Sequence, residues 1–184
     1  FEEDTPYLEY YSKKEKDIPS PEMTVDMYSQ MNDFLEKKGF KRYELSNFSL
    51  PGCECIHNTQ YWNRTPYLGI GAGAHSFDGY KRIWNHKVLE RYCTDYRCHA
   101  GEEILDEKTC VLETLMLALR TERGIEFENF ARRYSKEPVF FLNLIHEYVH
   151  HGFLEEVDST RVRIAISGVM MADEIIAELA AELG

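Results

Sequence analysis

His57-Asn58-x-x-Tyr61-Trp62 gathers an imidazole, a carboxamide and two flat rings within six residues. An imidazole can ligate iron or move a proton, and aromatic rings can flank a planar ligand. The same cluster could equally anchor a packed loop, so residue types alone leave both readings open. Nearby, Gly69-Ile70-Gly71-Ala72-Gly73 has the look of a phosphate turn. It lacks the Lys-Ser/Thr ending of a P-loop and the spacing of a dinucleotide fingerprint, which argues against a classical nucleotide site. Small residues still let a ligand approach the backbone, so a glycine-lined strand end beside a bulky cofactor remains open.

The other chemistry-bearing residues read more plainly. Cys53, Cys55, Cys93, Cys98 and Cys110 make an odd count at irregular spacing, which suits reduced thiols in the cytoplasm better than a disulfide framework. Cys53-x-Cys55 is followed by no second close pair, and Cys-x3-Cys-x2-Cys occurs nowhere, so the thiols read as free and no metal ligands are assigned. His146 and His150 fall four apart on one helical face, a spacing that can hold a metal. At a helix C-terminus they read more simply as compensating its dipole.

These residues need elements to position them. Ser20-Pro21 starts a helix, Met23, Met27, Met31 and Phe34-Leu35 recur at helical spacing as a core face, and Gly39 stops it. Phe40–Leu45 alternates as a strand, 46–66 reads as a loop bearing the histidine cluster, and Tyr67–Ile70 reads as a short buried strand. Tyr80–Trp84 fits another strand and His86–His99 a helix. A division near Gly101 separates residues 1–100 from 101–184. Beyond it come a helix capped by Asp106, helices over Phe127–Tyr134 and Val139–His150, a hairpin from Phe153 to Ile166 and a last helix from Gly168 to Leu183. Three helices followed by a hairpin is a winged-helix order, which raises DNA binding as an alternative. The would-be reading helix is apolar and acidic, however, and the chain carries a net charge of -11, so no nucleic-acid partner is expected.

The 184 residues, with 24 Phe, Tyr and Trp, belong to a folded globular class. Neither a run of roughly 18 apolar residues nor a basic-then-apolar leader is present. Phe1 in place of Met reads as a cut amino terminus.

Taken together, Tyr43-Glu44-Leu45-Ser46-Asn47-Phe48, Pro51-Gly52, Cys55, His57-Asn58-x-x-Tyr61-Trp62 and Tyr67 to Ser76 resemble the oxygen-independent coproporphyrinogen III oxidase family, nearest its haem-chaperone-like branch. The likeness continues through Arg82-x-Trp84-Asn85, Glu113 to Arg120 and Gly152-Phe153-Leu154. It departs at Cys53, at Ile56 and over 163–168. The resemblance implies an α/β plus α chain, the carboxyl-terminal portion of a partial (β/α)6 radical S-adenosylmethionine barrel followed by a small winged-helix-like domain. It further implies S-adenosylmethionine and a [4Fe–4S] cluster in a longer parent, with the cluster ligands outside this chain and these residues inactive alone. Gly69, Gly71 and Gly73 would line the S-adenosylmethionine pocket, and His57, Asn58, Tyr61 and Trp62 would bind haem. A porphyrin or haem ligand and a haem-accepting membrane protein are the implied partners. Oxidative decarboxylation of coproporphyrinogen III and a regulatory winged-helix module are the alternatives.

Overall fold

The computed structural model describes residues 19–95, 99–135 and 137–183. Helix α1 (Pro21–Lys37) begins where expected: the Ser20 hydroxyl accepts the Met23 N–H at 3.2 Å, with Pro21 in the first turn. Its methionine face is not core. Met23, Met27, Met31 and Phe34 are all exposed, while the inward side carries buried Asn32 and Tyr28, whose hydroxyl donates to the Leu45 carbonyl at 2.6 Å. Helical spacing marks an apolar face but not what covers it.

Strands β1 (Lys41–Glu44) and β2 (Asn47–Ser49) form an antiparallel hairpin, so β2 falls within the stretch expected to be loop. That stretch also contains helix α2 (Ile56–Trp62). The strand expected at Tyr67–Ile70 reduces to one bridge between Tyr67 and Phe77, and Leu68 and Ile70 are exposed. An apolar run bounded by glycine cannot by itself distinguish a buried strand from an exposed loop. Strands β3 (His75–Phe77), β4 (Lys81–Trp84) and β5 (Gly101–Ile104) form an antiparallel sheet in the order β3-β4-β5. Helix α3 spans Leu89–Thr94 within the expected His86–His99, of which residues 96–98 lie outside the described residues. Gly101 opens β5, and the sheet runs on to Ile104. A Cβ on Gly101 would lie 2.4 Å from the Trp84 ring, which accounts for glycine there.

Asp106 caps helix α4 (Glu107–Leu119) by accepting the Thr109 N–H at 2.7 Å. There follow β6 (Ile125–Glu126), α5 (Phe127–Tyr134), α6 (Pro138–His150), β7 (Leu154–Asp158), β8 (Arg161–Ile164), a 3-10 turn (Ile166–Met171) and α7 (Ala172–Ala181). The sheet order is β6-β8-β7, antiparallel, and the winged-helix order of elements is present. Leu115, Leu119, Phe141, Ile145, Leu154, Ile164, Ile175 and Leu179 form the centre of the core. Among the described residues no helix is long and apolar enough to cross a membrane.

Candidate functional site

Helix α2 is launched by a turn in which the Cys53 N–H donates to the Leu50 carbonyl at 2.9 Å, with Gly52 at φ +79°. That left-handed conformation favours glycine. In a helix, positions four apart share a face, so the four residues of the aromatic cluster divide into two pairs. His57 and Tyr61 lie on one side with rings edge to face at 5.0 Å, both exposed, Tyr61 by 40%. Asn58 and Trp62 lie on the other. The Asn58 amide donates to the Tyr43 hydroxyl at 3.4 Å, and the half-buried Trp62 holds its indole N–H away from solvent with no acceptor among the described residues. The cluster therefore presents His57 and Tyr61 outward and uses Asn58 and Trp62 to seat the helix.

Behind the outward pair runs a ladder of rings. Tyr61 meets Tyr67 at 4.7 Å, and Tyr67 meets buried Phe77 at 6.2 Å. Burial, and secondarily Tyr61, raise the Tyr67 hydroxyl above its ordinary pKa. The Phe77 ring lies under two guanidinium groups, Arg64 at 5.2 Å and Arg82 at 5.8 Å, and both pair with Glu113 on α4. Residue types could not reveal this clamp, because its members are 18 to 49 positions apart.

The glycine segment is held by side chains and a main-chain carbonyl from outside it. The Gly69 N–H donates to Ser76 Oγ at 2.9 Å, the Gly71 N–H to Tyr92 Oη at 3.1 Å, and the Gly73 N–H to the His86 carbonyl at 2.9 Å. Buried Asn85 donates to the carbonyls of Gly69 and Gly71 at 3.3 and 2.9 Å. The three glycine amides are thus occupied, and the segment is a pinned irregular loop rather than a strand end or an open anion cradle. Gly71 and Gly73 adopt φ of +116° and +70°. Residue types alone miss Asn85, Ser76 and Tyr92 as the side chains that fix this loop, although Ser76 and Asn85 stand in the family pattern.

Cys53, Cys55, Cys93 and Cys110 are free thiols, and Cys98 lies outside the described residues. No group of three or more His, Cys, Asp or Glu suited to a metal occurs among the described residues, so no three-thiolate set for an iron–sulfur cluster is present there. His146-Glu147-Tyr148-Val149-His150 is a complete His-Glu-x-x-His string. His146 rests edge-on against Phe127 at 6.1 Å, both histidines are exposed, and no third ligand joins them among the described residues. For a planar iron ligand the donor set of α2 does fit. The His57 ring is exposed and makes no hydrogen bond among the described residues, and Tyr61 offers a flat surface beside it.

No family model matches the chain. The structure of coproporphyrinogen III oxidase from Escherichia coli, described as a radical SAM enzyme, superposes with a TM-score of 0.64 at 18% identity, over 91% of this chain and 43% of that one. The fold is accordingly that of the carboxyl-terminal part of a radical S-adenosylmethionine protein of that type. In sequence, the chain is 44% identical to the mitochondrial radical S-adenosyl methionine domain-containing protein 1 of Bos taurus, over 90% of this chain and 41% of the relative. It is 38% identical to the heme chaperone HemW of Lactococcus lactis, over 64% of this chain and 32% of that protein. The chain is thus similar in sequence to proteins named as heme chaperones and as a radical S-adenosyl methionine domain-containing protein, and shares its fold with part of a coproporphyrinogen III oxidase. It spans less than half the length of these relatives.

Proposed function

We propose that this chain is the haem-contacting portion of a radical S-adenosylmethionine protein of haem-chaperone type. The carrying observation is the outward face of α2, where His57 and Tyr61 stand exposed at 5.0 Å while Asn58 and Trp62 anchor the helix from behind. Haem is the cargo in this reading. His57 would supply an axial nitrogen lone pair to the iron, and Tyr61 would lie against the macrocycle. Asn58 and Trp62 would act through the helix rather than by touching haem. A relative named as a heme chaperone supports the reading.

In the longer parent, S-adenosylmethionine would lie against the loop of Gly69, Gly71 and Gly73. Its occupied amides make it a shaped wall rather than a hydrogen-bonding cradle. The [4Fe–4S] cluster finds no ligand set among the described residues, so none of them is assigned a step through it. A haem-accepting membrane protein is the partner this function calls for. The exposed thiols suit a reducing compartment, either the cytoplasm or the mitochondrial interior to which the bovine relative's name points.

Titration with ferric haem, followed by the Soret band, tests the reading. The wild-type chain is expected to shift the band saturably and His57→Ala to weaken binding at least about tenfold, the scale of disturbing a metal's ligand shell. Equal binding by the variant removes His57 as ligand. The likeness to a coproporphyrinogen III oxidase structure favours oxidative decarboxylation as the second reading. Carbon dioxide release from coproporphyrinogen III by the cluster-reconstituted parent would establish that reading in place of the first.

A further inference from the structure

Glu113 sits on α4, outside the aromatic cluster, yet it takes one guanidinium on each carboxylate oxygen: Arg64 on Oε2 and Arg82 on Oε1. Its side chain is only 15% exposed. Arg64 lies two residues beyond Trp62, in a left-handed conformation at φ +53° that turns the chain out of α2, and its second arm donates to the Gly79 carbonyl at 3.3 Å. Arg82 lies on β4. The two guanidinium groups close over Phe77, which backs Tyr67, which backs Tyr61, which meets His57. A bidentate carboxylate holding two planar cations fixes direction as well as distance, unlike an isolated surface pair.

We infer that Glu113 is a positioning residue for haem capture: through Arg64 and Arg82 it locks the ring ladder that orients Tyr61 and His57, so the winged-helix-like unit sets the geometry of the ligand face. The inference rests on the haem-binding reading of α2. It assigns a role to α4, a helix that touches neither His57 nor Tyr61 in any ring contact. Substitutions along a chain of packed side chains typically shift coupling by about 2–30-fold.

The test is ferric-haem titration of the whole chain with Glu113→Gln, read together with the ferric electron paramagnetic resonance spectrum and the melting temperature. Glu113→Gln is expected to bind about tenfold more weakly and to replace one sharp set of resonances by a broad or multiple set, as the imidazole samples several orientations. Glu103→Gln is the control. It removes an exposed carboxylate from the same Arg82, 3.3 Å away, and leaves both haem readouts unchanged. A folded Glu113→Gln with wild-type affinity and spectrum overturns the inference, and so does an equal loss in Glu103→Gln, which would indicate a general charge effect. If Glu113→Gln does not fold, Arg82→Gln, which leaves the Arg64–Glu113 pair, is read by the same criteria, and a wild-type result there is equally fatal. Unchanged binding in His57→Ala would instead remove His57 as ligand, the reading on which the inference rests, so the two failures are distinguishable.

Discussion

Gly69 and Gly71 stand two positions apart and forbid side chains for different reasons. A Cβ on Gly69 would lie 2.0 Å from the His75 carbonyl oxygen, a backbone atom that cannot give way without moving β3. A Cβ on Gly71 would meet nothing within 4 Å, but the residue sits at φ +116°. Gly69→Ala should therefore act by overpacking, at about 1–3 kcal/mol of lost stability in urea unfolding. Because β3 carries His75 and Phe77, the damage should spread to the ring ladder and appear as a changed near-ultraviolet signal from Tyr61 and Tyr67. A Gly69→Ala protein with unchanged midpoint and aromatic spectrum would mean that the loop is not packed against β3.

Between elements, a polar junction joins the β1–β2 hairpin to the winged-helix-like unit. Arg42, on β1, has a side chain only 7% exposed and pairs with Glu122 at 2.6 Å and Glu155 at 3.6 Å, with the Tyr28 hydroxyl at 3.3 Å. Arg163 shares both carboxylates. The Leu45 N–H donates to the Arg120 carbonyl and the Glu122 N–H to the Tyr43 carbonyl, extending the junction along the main chain. Losing one partner of a fully buried pair costs about 3–5 kcal/mol because a charge is stranded. Glu122 is 30% exposed and Glu155 still serves Arg42, so Glu122→Gln is expected to cost about 2 kcal/mol against that buried-pair scale, measured by urea unfolding. Glu36→Gln, which breaks the exposed pair with Lys41, should cost less than about 1 kcal/mol. None of this junction could be read from the sequence, since Arg42 and Glu122 are 80 positions apart. What could be read was local. The Ser20-Pro21 and Asp106 caps, the helix–helix–helix–hairpin order after Gly101 and the family pattern around His57 all depend on neighbours in the chain. The misreadings share one physical source: the methionine face of α1, the Tyr67–Ile70 run and the single loop over 46–66 each required knowing which surface lay opposite.

Across the whole molecule the apolar core is unevenly distributed. Every fully committed member of the main core lies between Leu115 and Leu183, whereas residues 19–104 contribute Phe77 as their one buried apolar side chain among the described residues. That earlier region instead exposes Met23, Met27, Phe34, Leu68 and Ile70, and it is ordered by hairpins, by Asn85 under the glycine loop and by the Arg64–Glu113–Arg82 clamp. Opening free energy follows buried apolar contact, so the two regions should not open together. Amide hydrogen exchange of the isolated chain should show α4, α6 and α7 exchanging near the global limit, with α2 and β3–β5 exchanging faster in a separate, lower-energy opening. If haem is held by His57 and Tyr61, adding it should slow exchange in α2 and the β3–β4 hairpin selectively, and Glu113→Gln should abolish that selectivity by uncoupling the hairpin from α4. Uniform protection from α2 to α7, with or without haem, would show instead that the chain behaves as one cooperative unit and that the clamp transmits nothing particular to the ligand face.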